Sequence, residues 1–293
     1  MAMVTARPPM TAVEIRGHAA VLKESSHRES LAVSAIALAS SGQPEAFARL
    51  ALFLQNDAFL ARLDALEEPQ RKFSNLSQVL KALKKHPTQA TGKLCEALVA
   101  SPAFMTEPDR VIFLLPALAA VRPMSEPALA IFRRFNGEGY FNSNGPLLVS
   151  NGDPKALKLF AEMVADDHYE PDRIDMIHWA LLPHRLQPGV VEMARGLFDR
   201  GLTPAVEKAL VETLFDDQSE EWFGPARNAP VAPRWSSGET SVLEAYLKLG
   251  RYLQETRKTP PELEAAVEKA LQEIRAVLEV RRKLEEESKK PKR

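Results

Sequence analysis

Apolar residues recur at three- and four-residue spacings along nearly all of the 293-residue chain, in blocks separated by short clusters of Pro, Gly, Asn or Asp. That period puts the apolar side chains of each block on one helical face, and the clusters supply the stops and starts, so the pattern predicts consecutive short helices. About fourteen are legible: 11–24, 29–40, 44–54, 57–66, 69–85, 88–100, 107–121, 127–135, 153–165, 171–182, 188–200, 204–215 and two longer ones at 239–257 and 261–288. Interruptions are expected at Asn136 to Pro146, rich in Gly and Asn, and at Asp216 to Ser237.

The 22 prolines outnumber the 13 glycines, and aromatics make up only 7% of the chain, a balance that does not suit a β-rich protein. Pro44, Pro69, Pro127, Pro154, Pro171, Pro188, Pro204 and Pro261 each stand at the start of an apolar block. There a missing N–H costs nothing, because first-turn amides have no helical partner. Pro116 falls inside a block and predicts a kink, whereas Pro183 predicts a stop.

Lining up these starts brings out an internal repeat. Gly42-Gln43-Pro44-Glu45-Ala46 and Gly152-Asp153-Pro154-Lys155-Ala156 share the pattern Gly-x-Pro-x-Ala, and Phe47, Leu50 and Leu54 correspond to Leu157, Phe160 and Val164. The same offsets after Pro188 give Val191, Ala194 and Phe198. Such units argue for stacked helix pairs, each burying its apolar face against its neighbours. The segment from Asn151 to Leu157, with Phe160 and Val164, resembles the second half of a HEAT-like repeat of bacterial α-solenoids; the likeness holds over 150–215 and 41–66. It implies an all-α, right-handed, HEAT- or armadillo-like solenoid of about seven irregular antiparallel helix pairs, a curved scaffold that binds partners on its surface. It carries no catalytic residues with it. The irregular unit length and the two interruptions depart from the family pattern. The expected organisation is a flexible start at 1–10, a helical array at 11–215, a Pro- and Trp-containing loop at 216–238, two closing helices at 239–288 and a basic disordered tail at 289–293.

Charge modifies this picture by region. The chain as a whole is close to neutral, with 38 Lys and Arg against 39 Asp and Glu. Residues 1–100 nevertheless carry 12 basic and 9 acidic side chains, a net of +3; residues 151–250 carry 10 and 17, a net of −7; residues 251–293 return to +3. An acidic region suits a basic segment of a partner protein and repels duplex nucleic acid. The lone Cys95 excludes an internal disulfide and points to a reducing, cytoplasmic setting. No run of 18 apolar residues and no apolar leader at Met1 to Met10 suggests a membrane association.

The loop holds two of the three tryptophans, Trp222 and Trp235, with Phe223 and the acidic Asp216, Asp217, Glu220 and Glu221. A loop of this length is either functional or a structural cap, so these seven residues are the candidate partner contacts, with packing of both Trp side chains on the array edge as the alternative. Asp172, Asp175 and His178 share one helix face, but a di-metal bundle needs a second such set, and none is found; a surface pair is the simpler reading. No Walker, Rossmann, HExxH or G-x-S-x-G motif occurs, and neither cofactor nor metal is expected. Lys81, Lys84 and Lys85 form a basic helix face, which keeps a HEAT-like enzyme, a DNA glycosylase-type repair protein or a lyase-type modifier, as the alternative to a non-enzymatic interaction scaffold. In the last helix Leu263, Val267, Leu271, Ile274 and Leu278 form one stripe, suited to capping the array or to pairing with another chain.

Overall fold

Helix starts in the first part of the chain are set by short polar side chains. In the computed structural model, which describes residues 9–64, 74–105, 108–135, 141–166, 170–216, 234–256 and 258–289, Thr11 and Glu14 close a reciprocal capping box on α1 (Ala12–Glu24). The Glu14 amide donates to Thr11 Oγ1 over 3.3 Å, and the Thr11 amide donates to Glu14 Oε2 over 2.7 Å. Side-chain oxygens of Asn56, Ser74, Thr88 and Ser125 likewise cap α4 (Asp57–Leu63), α5 (Asn75–Lys84), α6 (Gln89–Val99) and α9 (Glu126–Arg134). Among the described residues the chain is all-helical, with sixteen α-helices and no strand.

Two compact units divide the chain, residues 1–135 and 136–293. The first holds α1, α2 (Arg28–Ser40), α3 (Pro44–Leu54), α4, α5, α6, α7 (Pro102–Met105), α8 (Pro108–Ala119) and α9. Helix α2 packs on α5 and α5 on α8, while α3 packs on α6 and α6 on α9, so the helices form two rows. Between them lie Leu31, Leu38, Leu50, Leu80, Leu98 and Phe132, all buried. Pro116 lies inside α8, as its position in the apolar block predicts.

The second unit comprises α10 (Phe141–Asn151), α11 (Pro154–Ala165), α12 (Glu170–Leu181), α13 (Val190–Phe198), α14 (Pro204–Phe215), α15 (Thr240–Thr256) and α16 (Glu264–Ser288). Its rows are α10, α12, α14 and α16 on one side and α11, α13 and α15 on the other. The positions singled out by the repeat are buried: Phe47, Leu50 and Leu54 in the first unit, and Leu157, Phe160, Val164, Val191, Ala194 and Phe198 in the second. In α16, Val267, Leu271 and Ile274 are buried, so that stripe packs within the unit.

Three expectations are corrected. The stretch 136–146 is not wholly an interruption, because α10 begins at Phe141 and runs through Pro146. Residues that read locally as breakers serve packing instead. A Cβ on Gly145 would come within 2.5 Å of Met176 Cγ and 3.1 Å of Phe160 Cε2, so the missing side chain lets α10 approach α11 and α12 closely. Pro188 does not open α13; the helix starts at Val190, with Gly189 left-handed at φ +85° before it. Pro261 opens a 3-10 turn, Pro261–Leu263, which leads into α16 at Glu264. Pro44, Pro154 and Pro204 do open their helices at the first position, and Pro183 lies in the 3-10 turn Leu182–His184 that ends α12. Pro69 lies outside the described residues.

Candidate partner-binding site

Of the predicted contacts, Trp222, Phe223, Asp217, Glu220 and Glu221 lie outside the described residues. Trp235 is 1% exposed, so its indole is packed inside the second unit and is not held out in solvent. Its ring meets Tyr246 edge to face at 5.0 Å between centroids, and Tyr246 meets Phe215 likewise at 5.5 Å. The Tyr246 hydroxyl donates to the Arg185 carbonyl over 2.9 Å, so this aromatic group ties α15 to the end of α14 and to the turn after α12. Asp216 is the partly exposed residue ending α14, its amide donating to the Glu212 carbonyl.

The third tryptophan, which periodicity alone does not mark, is the one in solvent. Trp179 on α12 is 55% exposed, while Arg173, Met176, Ile177, Ala180 and Leu181 of the same helix are buried. Asp175 lies one turn before it on the exposed face, at the spacing that brings side chains side by side. Between them His178 is half-buried, its Nδ1 at 2.8 Å from Thr213 Oγ1 on α14. Thr213 donates its own proton to the Ala209 carbonyl over 2.6 Å, which leaves its oxygen to accept from His178 Nδ1. Burial holds the imidazole below its ordinary pKa, opposed by the charges of Glu212 and Asp175. Both carboxylates are therefore close enough to act on one ring. The exposed side of α12 thus presents Asp175 and Trp179 one turn apart, a chemistry suited to a cationic side chain that can stack on the ring and pair with a carboxylate.

On the other row, α11 and α13 leave an open groove of about 540 Å³. Leu157, Ala161 and Met193 supply apolar lining, and Gly196 leaves space, since a Cβ there would meet nothing within 4 Å. Lys158 and Arg200 stand at its rim with Glu192.

Among the described residues no group of three or more His, Cys, Asp and Glu could hold a metal ion. The Cys95 thiol is buried, and burial with the nearby Glu96 charge pushes its pKa up to about 12, which suppresses the reactive thiolate. Among the described residues no helix is long and apolar enough to cross a membrane. No family model, no curated protein and no solved structure matches this chain.

Proposed function

We propose that the protein is a non-enzymatic scaffold of about seven irregular HEAT-like helix pairs that binds a partner protein through a basic segment. The observation that carries the reading is Trp179, exposed beside Asp175 on α12, with Glu212 of α14 acting on the same histidine. An indole more than half exposed, one helical turn from an acid, complements an Arg or Lys next to an apolar residue. The two rows of helices within each unit and the net charge of −7 over residues 151–250 support the same reading. Asp217, Glu220 and Glu221 come after Asp216 in sequence and extend the acidic supply. The buried thiol of Cys95 suits a reducing compartment, and we place the protein in the cytoplasm.

The test is a peptide-array screen with the purified chain, followed by calorimetric titration of the best binders. Peptides with paired Arg or Lys beside an apolar residue are expected to be selected. Trp179→Ala should weaken them about tenfold, and Asp175→Lys with Glu212→Lys should abolish them, with melting temperature unchanged. Selection of acidic peptides only, or binding indifferent to these substitutions, overturns the reading.

A further inference from the structure

The register of the two walls of the α11/α13 groove can be read from their starts. A Cβ on Gly189 would lie 2.9 Å from Leu157 Cδ1, and one on Gly152 would meet Gln187, so the two helices begin level and run side by side. Leu157 and Ala161 of α11 and Met193 of α13 form an apolar floor along about 13 Å of helix.

Gly196 is the part of this groove that the unit's own packing does not require. It lies exposed in the interior of α13, and a Cβ there would meet nothing within 4 Å. At Gly145 and Gly250, by contrast, a Cβ would come within 2.5 Å of Met176 Cγ and of Leu271 Cδ2, so those glycines serve contacts between helices of the unit. Glycine is a poorer helix former than alanine, and at position 196 no internal contact offsets that cost. A bare backbone on an open face is what a second helix needs in order to cross closely.

Charge selects the occupant. Lys158 on the α11 edge and Arg200, one turn beyond Gly196, make no ion pair among the described residues. The one acid lining the groove, Glu192, is about 100° round α13 from Met193 and so stands on the outer edge. Counted over both walls, Lys155, Lys158, Arg195 and Arg200 stand against Glu162, Glu192 and Asp199. Arg195 and Asp199 are turned to Tyr252 of α15, the first stacking on its ring and the second accepting from its hydroxyl. The groove is thus locally basic. From the level shared by Leu157 and Gly189, Lys158 lies one residue on and Arg200 eleven, which separates them by about 15 Å along the groove.

We infer that the α11/α13 groove docks an amphipathic α-helix of a partner protein, its apolar stripe on the floor, its backbone crossing over Gly196, and two carboxylates about three turns apart facing Lys158 and Arg200. This site stands on the opposite row of helices from Trp179, takes the opposite charge, and does not rest on that reading.

Fluorescence anisotropy tests it with the full chain and a labelled peptide of about 18 residues, long enough to hold a helix, with one leucine stripe and two glutamates three turns apart. Saturable binding below about 500 µM is expected, and the same peptide with lysines in place of the two glutamates should bind at least about tenfold more weakly. Gly196→Leu fills the crossing point and should weaken the acidic peptide at least about tenfold, with melting temperature unchanged or raised because leucine is the better helix former. Lys158→Glu with Arg200→Glu should invert the preference, so that the lysine peptide binds the tighter. Trp179→Ala should leave the acidic peptide untouched, so this site and the basic-segment site succeed or fail separately. Dodecanoate, run in parallel, is the other amphipathic carboxylate that suits such a groove; its binding with none of the peptide overturns the inference. So does binding indifferent to Gly196→Leu, binding lost with Trp179→Ala, or a preference that the double reversal does not invert.

Discussion

In the first unit Gly42 turns left-handed, at φ +69°, ahead of Pro44 and α3; in the second Gly152 does the same, at φ +70°, ahead of Pro154 and α11. Each glycine faces a residue that precedes a later proline, His86 before Pro87 and Gln187 before Pro188. A Cβ on Gly42 would lie 3.3 Å from His86 Nδ1, and one on Gly152 would lie 1.8 Å from Gln187 Nε2. The turn before one helix pair therefore stacks on the turn before the next in both units. Beyond the shared turn the two units diverge. At the end of α3, Gln55 reaches across to α6 and donates to the Ala97 carbonyl over 3.3 Å. Counting the same eleven residues from Pro154 leads to Ala165, which has no side-chain amide to reach with, and α13 offers Gly196. The α11/α13 seam is an open groove. The shared Gly-x-Pro-x-Ala pattern is thus followed by a bridged seam in one unit and an open groove in the other, while the buried offsets stay apolar in both.

Substitutions separate the features the two units share from those they do not. The largest effect is expected from Trp235→Ala, which removes a buried indole from its contact with Tyr246 and should cost about 3–5 kcal/mol by denaturant titration. Hydrogen exchange should report the loss in α14 and α15; a change below about 1 kcal/mol would contradict the packing. Gly145→Ala forces a methyl onto Met176 in a closed core and should cost about 1–3 kcal/mol, with exchange rising in α10. Gly42→Ala and Gly152→Ala test the likeness itself. Both impose a left-handed alanine, a penalty of about 1–2 kcal/mol each, and the two neighbouring side-chain ends can move aside. Equal costs support the repeat, whereas a neutral Gly42→Ala contradicts it.

The smallest effect is electrostatic. His178 has a folded pKa below the ordinary imidazole value of about 6.5, so below that pH the unfolded chain binds the extra proton first. Its contribution is full above pH 6.5 and is lost as pH falls toward the depressed folded value. Melting temperature should decline between pH 7 and pH 5, and His178→Gln should flatten that part of the profile.

Much of the helical framework is legible in the sequence, because periodicity and first-position prolines carry it. The bounds of α3 and α14 follow directly from Pro44 and Pro204. Helix α10 is hidden, since Gly145 and Pro146 are local breakers and the contact that Gly145 permits with α11 and α12 is not local. Helix α7, four residues at Pro102–Met105, is too short for periodicity to register. At the candidate site, Asp175 and His178 are visible as a helical pair, but Glu212 and Thr213 belong to a helix some 35 residues on and meet them only through packing. An apolar period also says which residues can be inside, and it gives Trp179 no reason to be outside. The groove depends on the small Ala161 and the bare Gly196, which a sequence does not distinguish from ordinary small helical residues.

The sharpest test of a basic partner segment held on α12 and α14 is hydrogen exchange with and without a saturating basic peptide chosen by the array. Added protection is expected in α12 around Asp175 to Trp179 and in α14 around Glu212. Protection confined to helices α1 to α9, or none in α12 and α14 at saturation, would contradict the proposal.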